Sequence, residues 1–398
     1  MMKADDRKRL LDDVETFCQE VRPHEELCYV EHKYNDQVIP LAKKHNVLAM
    51  PVPVQYGGRG ADAVTYLRAL VRIGREGTGV RTFFSGHTSI GEYPILTYGT
   101  EDQKRRYLPA AAKGEKILAF GLTEPDAGSN PLEMTSTYEK RGDHYALNGV
   151  KYLISNGGIC DAVVAFAYPA VRSIDDQGRP TSRVSAFIVD RVKGFASEDL
   201  TAKLGMPTAN TAMFEMTDVV VPLNNLLGEE GNGFRIAMGT LVSGRLSVAA
   251  GCLGVIEDCL TECLSYAKER HQHGKPIGKH QLIQEHLTAI EQARFASDCV
   301  LMRAAEAKDA SAAEPANAEL RNKAELLAAQ AKLFITNAAW DTADRAVQIY
   351  GGRGWSTLYR VGRHLMDVRV CRIYEGTDEV LKLKVAAALL GKEYEAYK

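Results

Sequence analysis

The sequence lacks what would place it in several large functional classes. It has no excess of charge: 49 Lys and Arg stand against 51 Asp and Glu, for a formal net charge of -2. Such balance gives no reason to expect a nucleic-acid or membrane-surface partner. No run of 18 apolar residues appears, so no transmembrane helix is expected. The start, Met1-Met2-Lys3-Ala4-Asp5-Asp6, carries no apolar core and does not read as a secretory signal. The eight cysteines form no CxxC pair, and most sit among apolar neighbours, where a free thiol behaves as a small hydrophobe. A reducing, cytoplasmic compartment fits that usage. Cys259 and Cys263 are four apart and would share a helix face, as plain core or as a metal pair; no metal site is assigned to them. Internal repeats and long disordered tracts are also missing.

What is present is a large hydrophobic fraction, 45% of 398 residues. That is enough for a substantial core in roughly two or three domains. The hydrophobic period divides the chain into three. Residues 1–120 carry helical patterns broken by turn signals such as Pro51-Val52-Pro53 and Tyr98-Gly99-Thr100. Over 121–230 the period changes to two. Tyr138 to Ser155 reads as two strands around Arg141-Gly142-Asp143, a hairpin turn rather than an adhesion signal. Asp161 to Tyr168, Arg183 to Val192 and Ala212 to Val221 are further strands, rich in Val, Phe and Thr. The expectation is a small antiparallel barrel or sandwich. Over 231–398 the helical period returns, with Leu246, Ala249, Leu253, Ile256, Leu260, Cys263 and Ala267 on one face. Leu282 to Ala307 and Leu320 to Tyr350 extend it, with Asp309 to Ala318 as a connection, so a four-helix bundle is expected. The fold class is mostly α with a central β domain.

Five spaced motifs carry chemistry. They are Thr123-Glu124-Pro125-Asp126-Ala127-Gly128-Ser129; Lys151-Tyr152-Leu153-Ile154-Ser155-Asn156-Gly157-Gly158; Arg270 with Gly274-Lys275-Pro276-Ile277 and His280-Gln281; Val347-Gln348-Ile349-Tyr350-Gly351-Gly352-Arg353-Gly354-Trp355; and Arg372-Ile373-Tyr374-Glu375-Gly376-Thr377. The glycines of the fourth motif are not a dinucleotide fingerprint, since no βαβ unit surrounds them. Taken alone, Glu375 reads as a helix-capping or surface acid.

Together and in this order, the motifs resemble the acyl-CoA dehydrogenase family, over about Pro51 to Leu390. The resemblance implies an N-terminal helical domain, a middle β domain and a C-terminal four-helix bundle, with FAD as cofactor and a homotetramer in which each flavin touches two subunits. It implies α,β-dehydrogenation of an acyl-CoA thioester. Glu375 would abstract the α-proton and flavin N5 would accept the β-hydride. A thioester α-proton is a very weak acid, so its removal needs a positioned carboxylate whose proton affinity burial has raised. No side chain can serve as hydride sink, but a flavin can. By the same resemblance, Thr123, Ser129, Ser155 and Thr377 contact the flavin. Arg270, Gln281, Gln348 and Gly352 contact it from the neighbouring subunit, the Arg as a fork for pyrophosphate. Arg245 lies near the base and the CoA arm. An electron-transferring flavoprotein is the implied electron acceptor.

The chain departs from the family pattern at several points. Leu153 stands where relatives commonly place an aromatic over the flavin edge, and Val242 where they often have Asp near the pantetheine arm. His273 replaces a common Phe, and Pro207 and Ala209 replace a frequent Arg and Ser. Gly244 occupies the position that carries the base in a minority of relatives, which leaves Glu375 as the candidate. Arg81 and Thr82 align with the residues that hold the distal carboxylate in glutaryl-CoA dehydrogenases, while Gly74 stands where those enzymes have the partner acid. Phe83, Phe84, His87 and Glu92 also fall on the helix expected to line the acyl pocket. The acyl group is therefore short, cyclic or dicarboxylic. The alternatives are an acyl-carrier-protein thioester dehydrogenase, an enoyl-CoA reductase or oxidase of the same family, and a non-catalytic helical scaffold.

Overall fold

The computed structural model describes residues 2–173, 181–394 and 396. Six helices open the chain: α1 (Ala4–Val30), α2 (Val38–Lys44), α3 (Ala63–Gly74), α4 (Thr78–Phe84), α5 (Tyr93–Tyr98) and α6 (Glu101–Ala112). Helix α6 begins where the Gly99-Thr100 signal predicts. Thr100 Oγ1 accepts the Gln103 amide at 3.2 Å, and Gln103 Oε1 accepts the Thr100 amide at 2.9 Å, a reciprocal cap. Between α4 and α5, Ser85–Glu92 is π-helical, a wider winding that often marks functional sites.

Eight strands follow: β1 (Leu118–Gly121), β2 (Thr137–Arg141), β3 (His144–Ser155), β4 (Ala162–Pro169), β5 (Ser185–Asp190), β6 (Phe195–Asp199), β7 (Thr211–Pro222) and β8 (Leu226–Leu227). The hairpin around Gly142 forms as expected, with Arg141 opposite His144 and Gly142 at φ 62°. The sheet order is β6-β7-β3-β2-β4-β5-β8, with β1 on β4. An all-antiparallel arrangement is not what forms. The pairs β1–β4 and β2–β4 are parallel, because β1 and β2 both reach β4 through long crossovers rather than tight turns. The polar edge strand β6 lacks a clean apolar alternation and escaped sequence reading.

Helix α7 (Gly233–Glu269) then runs for 37 residues, followed by a small hairpin, β9 (His271–Gln272) and β10 (Lys275–Pro276). Helices α8 (Gln281–Ala313), α9 (Ala318–Tyr350), α10 (Arg360–Cys371) and α11 (Asp378–Leu390) complete the chain. One detail differs from the sequence reading. Helix α8 continues through Asp309 to Ala313, since the alanines there are good helix formers, and only Glu314 to Asn317 form the link. Glu375 sits in the short break between α10 and α11. Helix α7 is long and apolar enough to cross a membrane, but 83% of its apolar window is buried inside this fold. It is the central core helix. Gly74 of α3 meets it at backbone distance: a Cβ there would lie 2.6 Å from the Gly251 carbonyl oxygen. Small residues thus set how closely α3 approaches α7.

Candidate active site

The loop between α10 and α11 presents Glu375 in the left-handed region, at φ 58°. For a residue with a Cβ this conformation is costly and persists only where the surroundings enforce it. The loop is closed locally by Asp378. Its carboxylate accepts Arg372 Nε at 2.8 Å and Asn337 Nδ2 at 3.0 Å, and its amide donates to the Arg372 carbonyl at 3.1 Å. Thr377 caps α11, its hydroxyl accepting the Val380 amide at 3.2 Å. The expected flavin contact of Thr377 is thus a residue whose hydroxyl already serves the helix.

From this loop the Glu375 side chain turns inward and lies over Gly244 of α7; a Cβ at Gly244 would fall on its carboxylate. Oε2 of Glu375 is buried and has no hydrogen-bond partner among the described residues. Burial pushes its pKa up to about 7, against the opposing pull of the cations Arg245, Lys332 and Arg81. A carboxylate of that proton affinity, unbonded and aimed into a site, has the properties of a general base.

Arg245 is no solvated helix-end residue. It is mid-helix, 5% exposed, and its Nε donates to the Glu375 carbonyl at 3.1 Å. Lys332 of α9 is 0% exposed and its Nζ donates to the Gly376 carbonyl at 2.8 Å. Arg81 is 1% exposed; its guanidinium donates to the Tyr374 hydroxyl and lies 5.7 Å from the centre of that ring. No acid stands at Gly74, where α3 presses on α7, and Arg81 Nε has no partner. Thr82 turns its hydroxyl toward Met206 Sδ at 3.8 Å.

The π-helical stretch places His87 and Glu92 together, Nε2 to Oε1 at 3.4 Å, both buried. They are not an ion pair. His87 Nδ1 accepts the Leu118 amide at 3.0 Å, which puts the proton on Nε2, facing the Ala111 carbonyl at 3.2 Å. Burial lowers the His87 pKa to about 4 and raises that of Glu92 well above the ordinary carboxylate value, so burial favours the neutral form of each.

The flavin-contact candidates fall into two groups. Thr123, Ser129 and Ser155 sit at the ends of β1 and β3, where the Tyr152 amide donates to the Thr123 carbonyl at 2.9 Å. Thr123 and Ser155 are half-exposed and Ser129 is exposed, so their hydroxyls stand open. The loop after Thr123 is anchored by a pair that sequence reading passed over. Lys151 Nζ donates to Glu124 Oε1 at 2.7 Å, and Glu124 also accepts the Ser136 amide at 3.1 Å and the Thr135 amide at 2.6 Å. Leu153 lies on the bulge of β3, at φ 59° and 56% exposed. Gly86 of the π-helical stretch packs tightly on this end of β3: a Cβ there would lie 2.8 Å from Asn156 Nδ2 and 3.3 Å from Ser155 Cβ. Hydroxyls and backbone donors fit the polar edge of a flavin.

The second group, Arg270, Gln281, Gln348 and Gly352, gathers at the far end of the bundle. Tyr350 stacks on Tyr266 there at 4.1 Å, and Arg345 Nη1 bonds Glu285 at 3.0 Å. All four residues are exposed, and nothing lies within 4 Å of a Cβ at Gly352. At 1.5 Å per residue, Arg270 lies roughly 37 Å along the axis of α7 from Arg245, and Gln348 roughly 24 Å along α9 from Lys332. Within one chain, Arg270 and Gln348 therefore lie far along the bundle from the cations beside Glu375. Sequence reading missed Lys332, yet a signal existed: a lysine within the buried run Ala328, Ala329, Ala331 and Ile335.

Three family models match in succession: the acyl-CoA dehydrogenase N-terminal domain over residues 4–115, the middle domain over 119–219 and the C-terminal domain over 231–390. An acyl-CoA dehydrogenase of Bacillus subtilis (strain 168) is 40% identical over 374 residues, 94% of either chain. A short-chain specific acyl-CoA dehydrogenase of Clostridium acetobutylicum is 36% identical over 87% of each. Among solved structures, butyryl-CoA dehydrogenase from Megasphaera elsdenii superimposes with a TM-score of 0.89 at 33% identity, covering 98% of this chain and 99% of that one. A glutaryl-coenzyme A dehydrogenase in complex with glutaryl-CoA gives 0.88 at 31%, covering 100% and 98%. An acyl-CoA dehydrogenase from Bacillus anthracis complexed with FAD gives 0.87 at 30%, covering 98% and 67%. Members of this family are FAD-dependent oxidoreductases acting on CH–CH groups.

Proposed function

The chain belongs to the acyl-CoA dehydrogenase family, and from that premise we propose that it oxidises an acyl-CoA thioester to the 2-enoyl-CoA with Glu375 as the base. The observation that carries this is the Glu375 carboxylate itself: its Oε2 is buried with no hydrogen-bond partner among the described residues, its pKa is pushed up to about 7 by burial, and it lies over a glycine. FAD, when bound, supplies the two-electron sink that takes the β-hydrogen as hydride. Thr123, Ser129 and Ser155 would hold it through their hydroxyl and backbone groups. Burial of the site keeps water from the base and raises its affinity for the α-proton. Arg245 fixes the loop at the Glu375 carbonyl.

The acyl group is read as uncharged at its far end, because burial of His87 and Glu92 favours the neutral form of both. Arg81 supports a second reading, a dicarboxylic substrate, since it is a buried cation whose Nε lacks a partner among the described residues. Arg270, Gln281, Gln348 and Gly352 are read as holding the flavin of a neighbouring copy in a homotetramer. Their exposure and their distance from Glu375 support that reading. The setting is cytoplasmic, and electrons pass to an electron-transferring flavoprotein.

The test is a panel of thioesters added anaerobically to the yellow holoenzyme. Butyryl-CoA is expected to bleach the flavin. Bleaching by glutaryl-CoA alone would transfer the choice to the dicarboxylic reading. A protein that neither holds FAD nor regains it on reconstitution would end the proposal.

A further inference from the structure

Three consecutive residues of the loop, Tyr374, Glu375 and Gly376, are each held by a cation from a different helix. Arg81 of α4 takes the Tyr374 hydroxyl, Arg245 of α7 the Glu375 carbonyl at 3.1 Å, and Lys332 of α9 the Gly376 carbonyl at 2.8 Å. The three cations are 1%, 5% and 0% exposed. Keeping several uncompensated cations in a core is costly, and the cost is the same wherever they point. Here they converge on the one residue of the loop that is strained, at φ 58°.

We infer that Lys332 and Arg81 are positioning residues for Glu375: with Arg245 they clamp the loop at three successive points, in the conformation that lays the carboxylate over Gly244. The inference rests on the reading of Glu375 as the base. Each contact does a separate part. Arg245 holds the carbonyl of the peptide that follows Glu375 and Lys332 the carbonyl of the next one, which fixes the rotation of two successive peptide planes. Arg81 holds the preceding side chain, whose hydroxyl also meets Cys371 Sγ at 3.1 Å. A neutral donor could make the Lys332 contact equally well, so geometry alone does not require a charge there. The charge acts on the carboxylate, whose proton affinity all three cations reduce while burial raises it. The other titratable groups packed about the loop are Cys252 of α7, Cys371 of α10, Tyr374 of the loop itself and Asp378 of α11. Asp378 is already paired with Arg372.

The test uses the FAD-loaded holoenzyme and reads the protonation of Glu375 by infrared difference titration, with Glu375→Gln as the subtraction. Lys332→Gln keeps a donor of similar reach and removes the charge. The expected result is an upward shift of the Glu375 midpoint by about one pKa unit, since an opposite charge at close range lowers a carboxylate by about that much or more. Lys332→Arg restores the original midpoint. The acid limb of the bleaching rate moves with the midpoint in both variants. A purely structural lysine would instead lower the rate at every pH and leave the midpoint where it was. An unchanged midpoint in folded, yellow Lys332→Gln overturns the part assigned to the charge, and a wild-type bleaching rate in folded, yellow Lys332→Met, which has no donor, overturns the clamp. Should Lys332→Gln lose its fold, Arg81→Gln carries the same test from another helix, with the same upward shift expected and an unchanged midpoint overturning the part assigned to the charge. If Glu375→Gln removes no titrating carboxyl, or bleaches at the wild-type rate, the reading of the base fails rather than the clamp.

Discussion

At Gly244 the missing side chain is a condition for the chemistry proposed. A Cβ there would occupy the place of the Glu375 carboxylate, the mobile end of a side chain rather than fixed backbone. Gly244→Ala should therefore fold, hold FAD and unfold within a few degrees of wild type, because the carboxylate can swing aside. It should bleach about 100-fold more slowly, since a displacement of about 1 Å at a reacting group costs that much. Stopped-flow bleaching with butyryl-CoA measures it, and a rate within a factor of about two of wild type would contradict the geometry. Sequence reading reached both residues of this pair, Glu375 through its motif and Gly244 as an empty base position. It did not reach their contact, because 131 positions separate them and only the packing of the α10–α11 break onto α7 brings them together. Lys332 is marked by its apolar neighbours, but its partner was not legible for a related reason. It belongs to no motif, and its role appears only once α9 is seen to face the loop.

Two features of the strands and helices decide how the flavin side of the site is held. One is the buried pair Lys151–Glu124, joining β3 to the loop after β1. The carboxylate stays ionised, drawn down to about 2 by Lys151 and by hydrogen bonds from the 135–136 backbone; burial draws Lys151 down to about 8, still charged at neutral pH. Removing one partner strands the other. Lys151→Met should lower the unfolding free energy by about 3–5 kcal/mol and release FAD, while the double change with Glu124→Gln should recover much of both. Urea unfolding and flavin content measure this, and an undiminished Lys151→Met would remove the anchor from the account. The other feature is the π-helical stretch, which no period of 3.6 or 2 reveals. Strand patterning exposed β4, β5 and β7, and the turn at Gly142 exposed β2 and β3, whereas β6 is a polar edge and β8 is two residues long. The parallel seating of β1 on β4 depends on a crossover through 122–161 and was not legible.

For the molecule as a whole, the order of helices, strands and helices was readable from the change of hydrophobic period alone. The short break at Glu375 was readable as well, since Gly376 and Thr377 follow it between two helical stretches. Gln348 and Arg270 lie roughly 24 Å and 37 Å along α9 and α7 from Lys332 and Arg245, the cations beside Glu375. Under the reading proposed, that far end of the bundle serves the flavin of a neighbouring copy. What every part of this arrangement serves is one carboxylate. Its raised pKa makes the charged, active form the minority below neutrality. The second-order rate constant for anaerobic bleaching, which reports the free enzyme, should therefore rise with pH through a midpoint of about 7 and level off above it. In Glu375→Gln the flavin should remain bound and yellow, with no such limb and bleaching near zero at every pH. A wild-type rate independent of pH between about 5 and 9, or a Glu375→Gln holoenzyme that bleaches like wild type, would contradict the account.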